Sequence, residues 1–218
     1  MGADMPTYND ALEAYLRHHF GREDDALSKI RAQIPVRGLP AITVKPEEGA
    51  FLQFLAAISN ARNALEIGTL GGYSGTWIAR GLVDGGRLIT LEVEDKHAQV
   101  AQEHFKLAGV ADKVEIKVGN AHDLLPTLID EGPFDFVFID AEKEGYLAYL
   151  DWALQNLAPG GVVAAHNAFR HGDIVNSTNQ EERTKVMRVF NQRLADDPRL
   201  ISTIFPAGDG MAVAVFMP

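Results

Sequence analysis

Four glycines fall within eight positions, Gly68, Gly71, Gly72 and Gly75, directly behind the apolar run Ala64, Leu65, Ile67. Ahead of them Trp77, Ile78, Leu82 and Val83 recur at helical spacing. Buried strand, glycine turn, then helix is the arrangement that brings backbone close to a nucleotide-like ligand at a helix N-terminus. No other stretch of the chain limits its fold as strongly.

The turn is not a dinucleotide fingerprint. G-x-G-x-x-G requires glycine two residues after Gly68, and Leu70 stands there. Instead an acid, Glu66, precedes the first glycine by two residues. A second acid, Glu92, closes the next apolar run, Leu88 to Leu91, about 20 residues beyond the glycines, where a ribose-binding carboxylate is expected. Acids at this loop suit a ligand with free hydroxyls and a positive centre better than a pyrophosphate. S-adenosylmethionine, with its sulfonium and ammonium, is such a ligand. An ordinary tight turn with solvated acids is the alternative.

At 218 residues the chain is long enough to bury a sizeable core in one domain, and 46% hydrophobic with 23% charged residues is a globular composition. A net charge of −10 argues against non-specific binding to nucleic acid or an anionic membrane. The absence of cysteine rules out disulfides and thiolate metal sites. With neither a secretion signal pattern nor a membrane-length apolar run, the cytoplasm is the expected location.

The periodicity predicts helices over Thr7 to Phe20, over Asp24 to Ile34 (ending before Pro35) and over Glu47 to Ser59, with an irregular crossing from Val36 to Lys45. Beyond the glycines, strands near Arg87–Glu92, Lys113–Val118, Phe134–Asp140 and Gly161–Ala165 alternate with helices near Lys96–Ala108, Ala121–Asp130 and Tyr146–Leu157. That alternation predicts a three-layer α/β/α fold with a parallel sheet covered on both faces. A helix over Glu181–Ala195 precedes strands Leu200–Phe205 and Met211–Phe216. Their short connection makes a hairpin, so one terminal strand runs antiparallel. Seven strands result. The expected organisation is one domain over 1–218, with a helical extension and crossing over 1–46 and a catalytic core over 47–218.

In such a sheet chemistry gathers at the carboxyl ends of the strands. Phe136 to Ile139 is an apolar strand that delivers Asp140, and the strand opened by Gly160-Gly161 ends in His166-Asn167. If the two are neighbours, Asp140, His166 and Asn167 converge with Lys143 close by. Carboxylate, imidazole and amide together suit a divalent cation. Asp140 and Lys143 alone also make an ordinary local ion pair. His18-His19 reads as a surface or interface pair, and His97, His104 and His122 read as surface histidines.

From about Thr43 to Phe216 the chain resembles the cation-dependent O-methyltransferases related to catechol and caffeoyl-CoA O-methyltransferases, particularly small bacterial members. Leu65 to Ser74, Phe134 to Lys143, Tyr146-x-x-Tyr149, Ala158 to Gly161 and Asp209-Gly210 carry the likeness in order and spacing. It implies the class I S-adenosylmethionine-dependent methyltransferase fold, Rossmann-like, with a seven-stranded sheet whose last strand is antiparallel. It places Val44, Glu66, Gly68, Thr69 and Ser74 around the methionine part of the cofactor, Glu92 on the ribose, and Asn120 and Ala121 against the adenine. It makes Asp140 both a metal ligand and a neighbour of the cofactor, and Lys143 the general base. Relatives are commonly dimers, so a homodimer is expected.

One position departs from the family. Its last parallel strand ends in Asp-Asn, both metal ligands, whereas this chain has His166-Asn167. Magnesium wants oxygen ligands, and imidazole suits softer ions. Magnesium binding through Asp140, His166 and Asn167 is therefore expected to be weakened. Three roles for His166 stay open: ligand to a softer metal, metal-free general base, or structural residue. The leading expectation is transfer of a methyl group to a hydroxyl of a small catechol-like or phenolic acceptor. A tRNA-modifying methyltransferase and a cofactor-binding protein without catalysis are the alternatives.

Overall fold

The computed structural model describes residues 9–218. Helix α1 (Asp10–His19) starts at Asn9, whose side chain caps the N–H groups of Ala11 and Leu12. Thr7 and Tyr8, the expected start of this helix, lie outside the described residues. Helix α2 (Asp25–Val36) is capped by Asp24 and runs through Pro35 rather than stopping before it. In the last turn a proline forfeits only one N–H bond, and Arg37 still donates to Gln33 O. Helix α3 (Pro46–Ile58) opens with Pro46 and carries Glu47 and Glu48 in its first turn, both buried despite their charge.

The remaining elements are β1 (Asn63–Ile67), α4 (Tyr73–Gly81), β2 (Arg87–Glu92), α5 (Asp95–Leu107), β3 (Val114–Val118), α6 (Ala121–Leu124), β4 (Phe134–Ile139), α7 (Tyr146–Asn156), β5 (Leu157–His166), α8 (Glu182–Asp196), β6 (Leu200–Phe205) and β7 (Met211–Phe216). The sheet order is β3-β2-β1-β4-β5-β7-β6, and β7 runs antiparallel to both of its neighbours. The hairpin expected at the C-terminus is thus present, with its second strand inserted between β5 and β6. Two differences in extent are local. The helix expected over Ala121–Asp130 tightens after α6 into a 3-10 segment, Leu125–Glu131, that opens with Pro126 at its second position. Strand β5 begins at Leu157, four residues before Gly161, with a register irregularity opposite β4 between Leu157 and Val162.

Two apolar layers sandwich the sheet. Alternating side chains of one strand serve opposite layers, as with Phe136 and Phe138 on one side and Val137 and Ile139 on the other. No helix among the described residues is long and apolar enough to cross a membrane. The order reversal at β1/β4 opens a crevice at the carboxyl ends of the strands.

Candidate active site

The tips of β1 and β4 meet at the crevice. Asp140 N–H donates to Ile67 O and Gly68 N–H to Leu91 O, which extends the parallel ladder one residue past each strand. Gly68 has φ +103, and a Cβ there would fall 2.2 Å from the carbonyl oxygen of Asp140. Only glycine permits both the turn and this close approach.

The resulting cavity, of about 760 Å³, is within the range of small-molecule sites. Val44, Gly68, Thr69 and Ser74 border it on the glycine-loop side, and Glu92, Asn120 and Ala121 border it beyond β2 and β3. Asp140, Lys143 and Asn167 line the remaining wall. Glu66 stands behind the wall rather than on it, fully buried. Its carboxylate accepts hydrogen bonds from Ser74 Oγ (2.6 Å) and Thr90 Oγ1 (2.7 Å). Burial pushes its pKa up to about 8 against the opposing effect of those two bonds. Glu92 faces the cavity while its oxygens accept the N–H groups of Leu70 (2.7 Å) and Glu94 (3.0 Å). Asn120 accepts from His122 N–H and so caps α6.

Lys143 follows β4 in a single 3-10 turn, Lys143–Gly145, and is buried. Its Nζ donates to Tyr146 Oη (2.6 Å) and Ala141 O (3.0 Å), and lies 3.4 Å from Asp140 Oδ1. Burial lowers its pKa, with Asp140 opposing, so its neutral form is more accessible than that of an ordinary lysine. A buried amine on a cavity wall beside a carboxylate can take a proton.

Strands β4 and β5 are parallel neighbours, with Ile139 opposite Ala165, and His166 does meet Asp140. Its Nδ1 lies 3.2 Å from Asp140 Oδ2, and its Nε2 lies 2.9 Å from Glu48 Oε1. Glu48 is held in turn by accepting Lys45 N–H at 2.7 Å. At Gly208 a Cβ would fall 2.1 Å from Glu48 Oε1, so glycine is needed there to admit the carboxylate. Burial alone would lower the His166 pKa, but the carboxylates of Asp140 and Glu48 outweigh it and push it up to about 10. The same contact, together with Lys143, holds Asp140 below its usual value against its own burial.

A divalent cation would have to take its ligands from this arrangement. Carboxylate acceptors at both ring nitrogens require a hydrogen on each, which leaves His166 no lone pair for a metal or for an acceptor proton. Asn167 directs its Nδ2 to Asp209 Oδ2 at 2.9 Å. No group of three or more His, Cys, Asp or Glu side chains among the described residues converges as a metal-holding set. Asp140, His166 and Asn167 come together as expected, but as arranged they do not fit a hard dication. An imidazolium also cannot act as base, which leaves Lys143 for that role.

The other histidines divide. His18 is exposed and its ring meets His19 edge-on at 4.7 Å. His122 stacks on Tyr149 at 4.9 Å. His104 is not a surface residue: it is buried, with Nδ1 2.8 Å from Gly71 O and Nε2 3.1 Å from Gln33 Oε1, and it ties α5 to the glycine loop. His97 borders the cavity, 3.4 Å from Glu92. Glu48 was invisible in the sequence as a site residue, because acids in a first helical turn are ordinary dipole partners. Tyr146 was legible only as part of a motif.

A glycine loop, a carboxylate at the tip of β2 and a buried lysine around one crevice suit an enzyme that takes a nucleotide-like cofactor. Comparison with known proteins fixes which. The O-methyltransferase family model matches residues 18–216, and the chain belongs to that family. It is 42% identical over 213 residues to the catechol O-methyltransferase of Niastella koreensis, covering 94% of this chain and 96% of that one. It is 41% identical over 220 residues to the catechol O-methyltransferase of Mycobacterium tuberculosis, covering 99% of each. The crystal structure of the Bacillus cereus O-methyltransferase with S-adenosylhomocysteine superimposes with a TM-score of 0.88 at 39% identity, covering 94% of this chain and 97% of that one. The chain is accordingly an S-adenosylmethionine-dependent O-methyltransferase of class I fold.

Proposed function

We propose that this methyltransferase acts on a hydroxyl of a small catechol-like or phenolic acceptor, with Lys143 as the general base and without a requirement for a divalent cation. The observation that carries the reading is Lys143, a buried amine of lowered pKa on the wall of the cavity shared with the cofactor residues. The relatives named for catechol methylation support the acceptor class. The net charge of −10 favours a small molecule over tRNA.

In the reaction the acceptor oxygen attacks the sulfonium methyl in line. The new O–CH3 bond forms as the S–CH3 bond breaks, the electron pair goes to sulfur, and S-adenosylhomocysteine leaves. Neutral Lys143 Nζ takes the hydroxyl proton, and Asp140 beside it stabilises the ammonium that results. Glu92 holds the ribose and Asn120 and Ala121 flank the base, which fixes the methyl near attack geometry. Glu66 acts at one remove by setting the Ser74 hydroxyl. His166 supplies a positive charge between Asp140 and Glu48, where the metal-dependent pattern has a carboxylate and a cation. Catechol, guaiacol, caffeate and a simple phenol incubated with S-adenosylmethionine, with methylated products identified by mass spectrometry, test the reading. Methylation of phenolic oxygen is expected. Cofactor binding with no product from any of them, or product only with tRNA, would overturn it.

A further inference from the structure

Arg170 is a cation on the Lys143 side of the cavity that forms no ion pair among the described residues. It lies in the turn after β5, where Asn167 (φ 61), Arg170 (φ 49) and His171 (φ 55) all adopt the left-handed conformation ahead of Gly172. Such a backbone is sterically costly for non-glycine residues and persists only where its surroundings impose it. Here they do: Ala168 N–H donates to Gly210 O (3.0 Å), Phe169 N–H to Asp209 O (2.9 Å) and Asn167 Nδ2 to Asp209 Oδ2 (2.9 Å). The Phe169 ring lies so close to Gly210 that a Cβ there would stand 2.7 Å away.

From this fixed turn the Arg170 side chain lines the cavity beside Lys143, Asp140 and Asn167. Its Nε is buried with no hydrogen-bond partner. Among the described residues it forms no ion pair, and the nearby acids are committed elsewhere. Asp140 serves Lys143 and His166, Asp209 serves Asn167 and His171, and Glu142 serves Tyr149. Its charge also disfavours protonated Lys143. A buried guanidinium nitrogen without a partner is unfavourable unless a ligand supplies an acceptor. The planar guanidinium fork matches a carboxylate through two parallel N–H bonds.

We propose that Arg170 binds the carboxylate of the acceptor, so that the preferred substrates are hydroxylated aromatic acids of the benzoate or cinnamate class rather than neutral phenols. The inference rests on the methyltransferase reading above and assigns the specificity of the same site. The unesterified methionine carboxylate of the cofactor is the competing anion, and the experiment separates the two.

Protein loaded with S-adenosylhomocysteine is titrated calorimetrically with 3,4-dihydroxybenzoate and with catechol, as wild type, Arg170→Gln and Arg170→Lys. The two acceptors share a ring and differ in the carboxylate. The wild type is expected to prefer the benzoate, and R170Q to lose about 10- to 100-fold for it, the worth of a charge-assisted hydrogen bond. Catechol and S-adenosylhomocysteine affinities stay within about twofold, and R170K recovers part of the loss. Equal weakening of both acceptors, loss of S-adenosylhomocysteine affinity, or wild-type binding of neither acceptor would overturn the proposal. Selective benzoate binding with no methyl transfer from S-adenosylmethionine to either acceptor would uphold Arg170 and sink the phenolic-acceptor reading instead.

Discussion

His166 Nε2 and Glu48 Oε1, 118 residues apart in sequence, lie 2.9 Å from one another, and the opposite ring nitrogen faces Asp140. The first turn of α3 is thereby fastened to the ends of β4 and β5 through one imidazolium. Removing the ring leaves two carboxylates facing across a dry space. His166→Ala is expected to cost about 3–5 kcal/mol, as for a buried charge stripped of its partner. Glu48→Gln, which keeps a hydrogen-bond acceptor at that ring nitrogen, costs less. Urea denaturation of the three proteins checks the order.

His166→Asp is expected to convert the clamp into a cation site. Three carboxylates then converge with Asn167 nearby, an oxygen donor set that suits magnesium or manganese. The variant is predicted to be less stable than wild type in chelator and to recover when either ion is added, while the wild-type melting temperature ignores both treatments. A magnesium-dependent shift in the wild type would contradict the reading of His166.

The same clamp sets a pH dependence. The folded pKa of His166 is raised to about 10, so its contribution to stability is fully present below the unfolded value near 6.5 and is lost as pH climbs from there through about 10. Asp140 is held low, so its contribution is present above the unfolded value and lost as pH falls through the folded one. Denaturant midpoints from pH 5 upward should therefore decline on the alkaline side in wild type, and decline less in a variant lacking the ring.

Glu66 has the opposite sense for a carboxyl. With its folded pKa raised to about 8, the folded state keeps a proton that the unfolded chain gives up near 4.3, and stability falls as pH rises between the two. Glu66→Gln mimics the protonated side chain. It is expected to match wild type near pH 5 and to exceed it at pH 7 and at pH 9, as read by scanning fluorimetry.

Most of the framework was legible because local and global signals agreed. Strands β2, β6 and β7 have the bounds expected from their apolar runs, and the glycine cluster places the crevice at β1. Pro35 misled because a proline in a final helical turn breaks almost nothing. The site was legible in its parts: Asp140, Lys143, His166 and Asn167 come from strand ends, where position alone suggests chemistry. Glu48 was not, since its role exists only once α3 crosses to β5 and Gly208 vacates the space. His104 read as exposed because one polar residue on a helix gives no sign that its partners are the carbonyl of Gly71 and the amide of Gln33.

The central claim is that Lys143 and a clamped imidazolium carry out methyl transfer that needs no divalent ion. Its most direct test measures kcat/KM for methyl transfer to the phenolic panel with metal-stripped protein in chelator, then with magnesium, manganese, cobalt or zinc added back separately. Lys143→Met is assayed in parallel. Equal turnover in chelator and with every ion is predicted, with Lys143→Met lower by about 10²- to 10⁴-fold, the usual worth of a general base. Turnover that vanishes in chelator and returns with one ion would contradict the account.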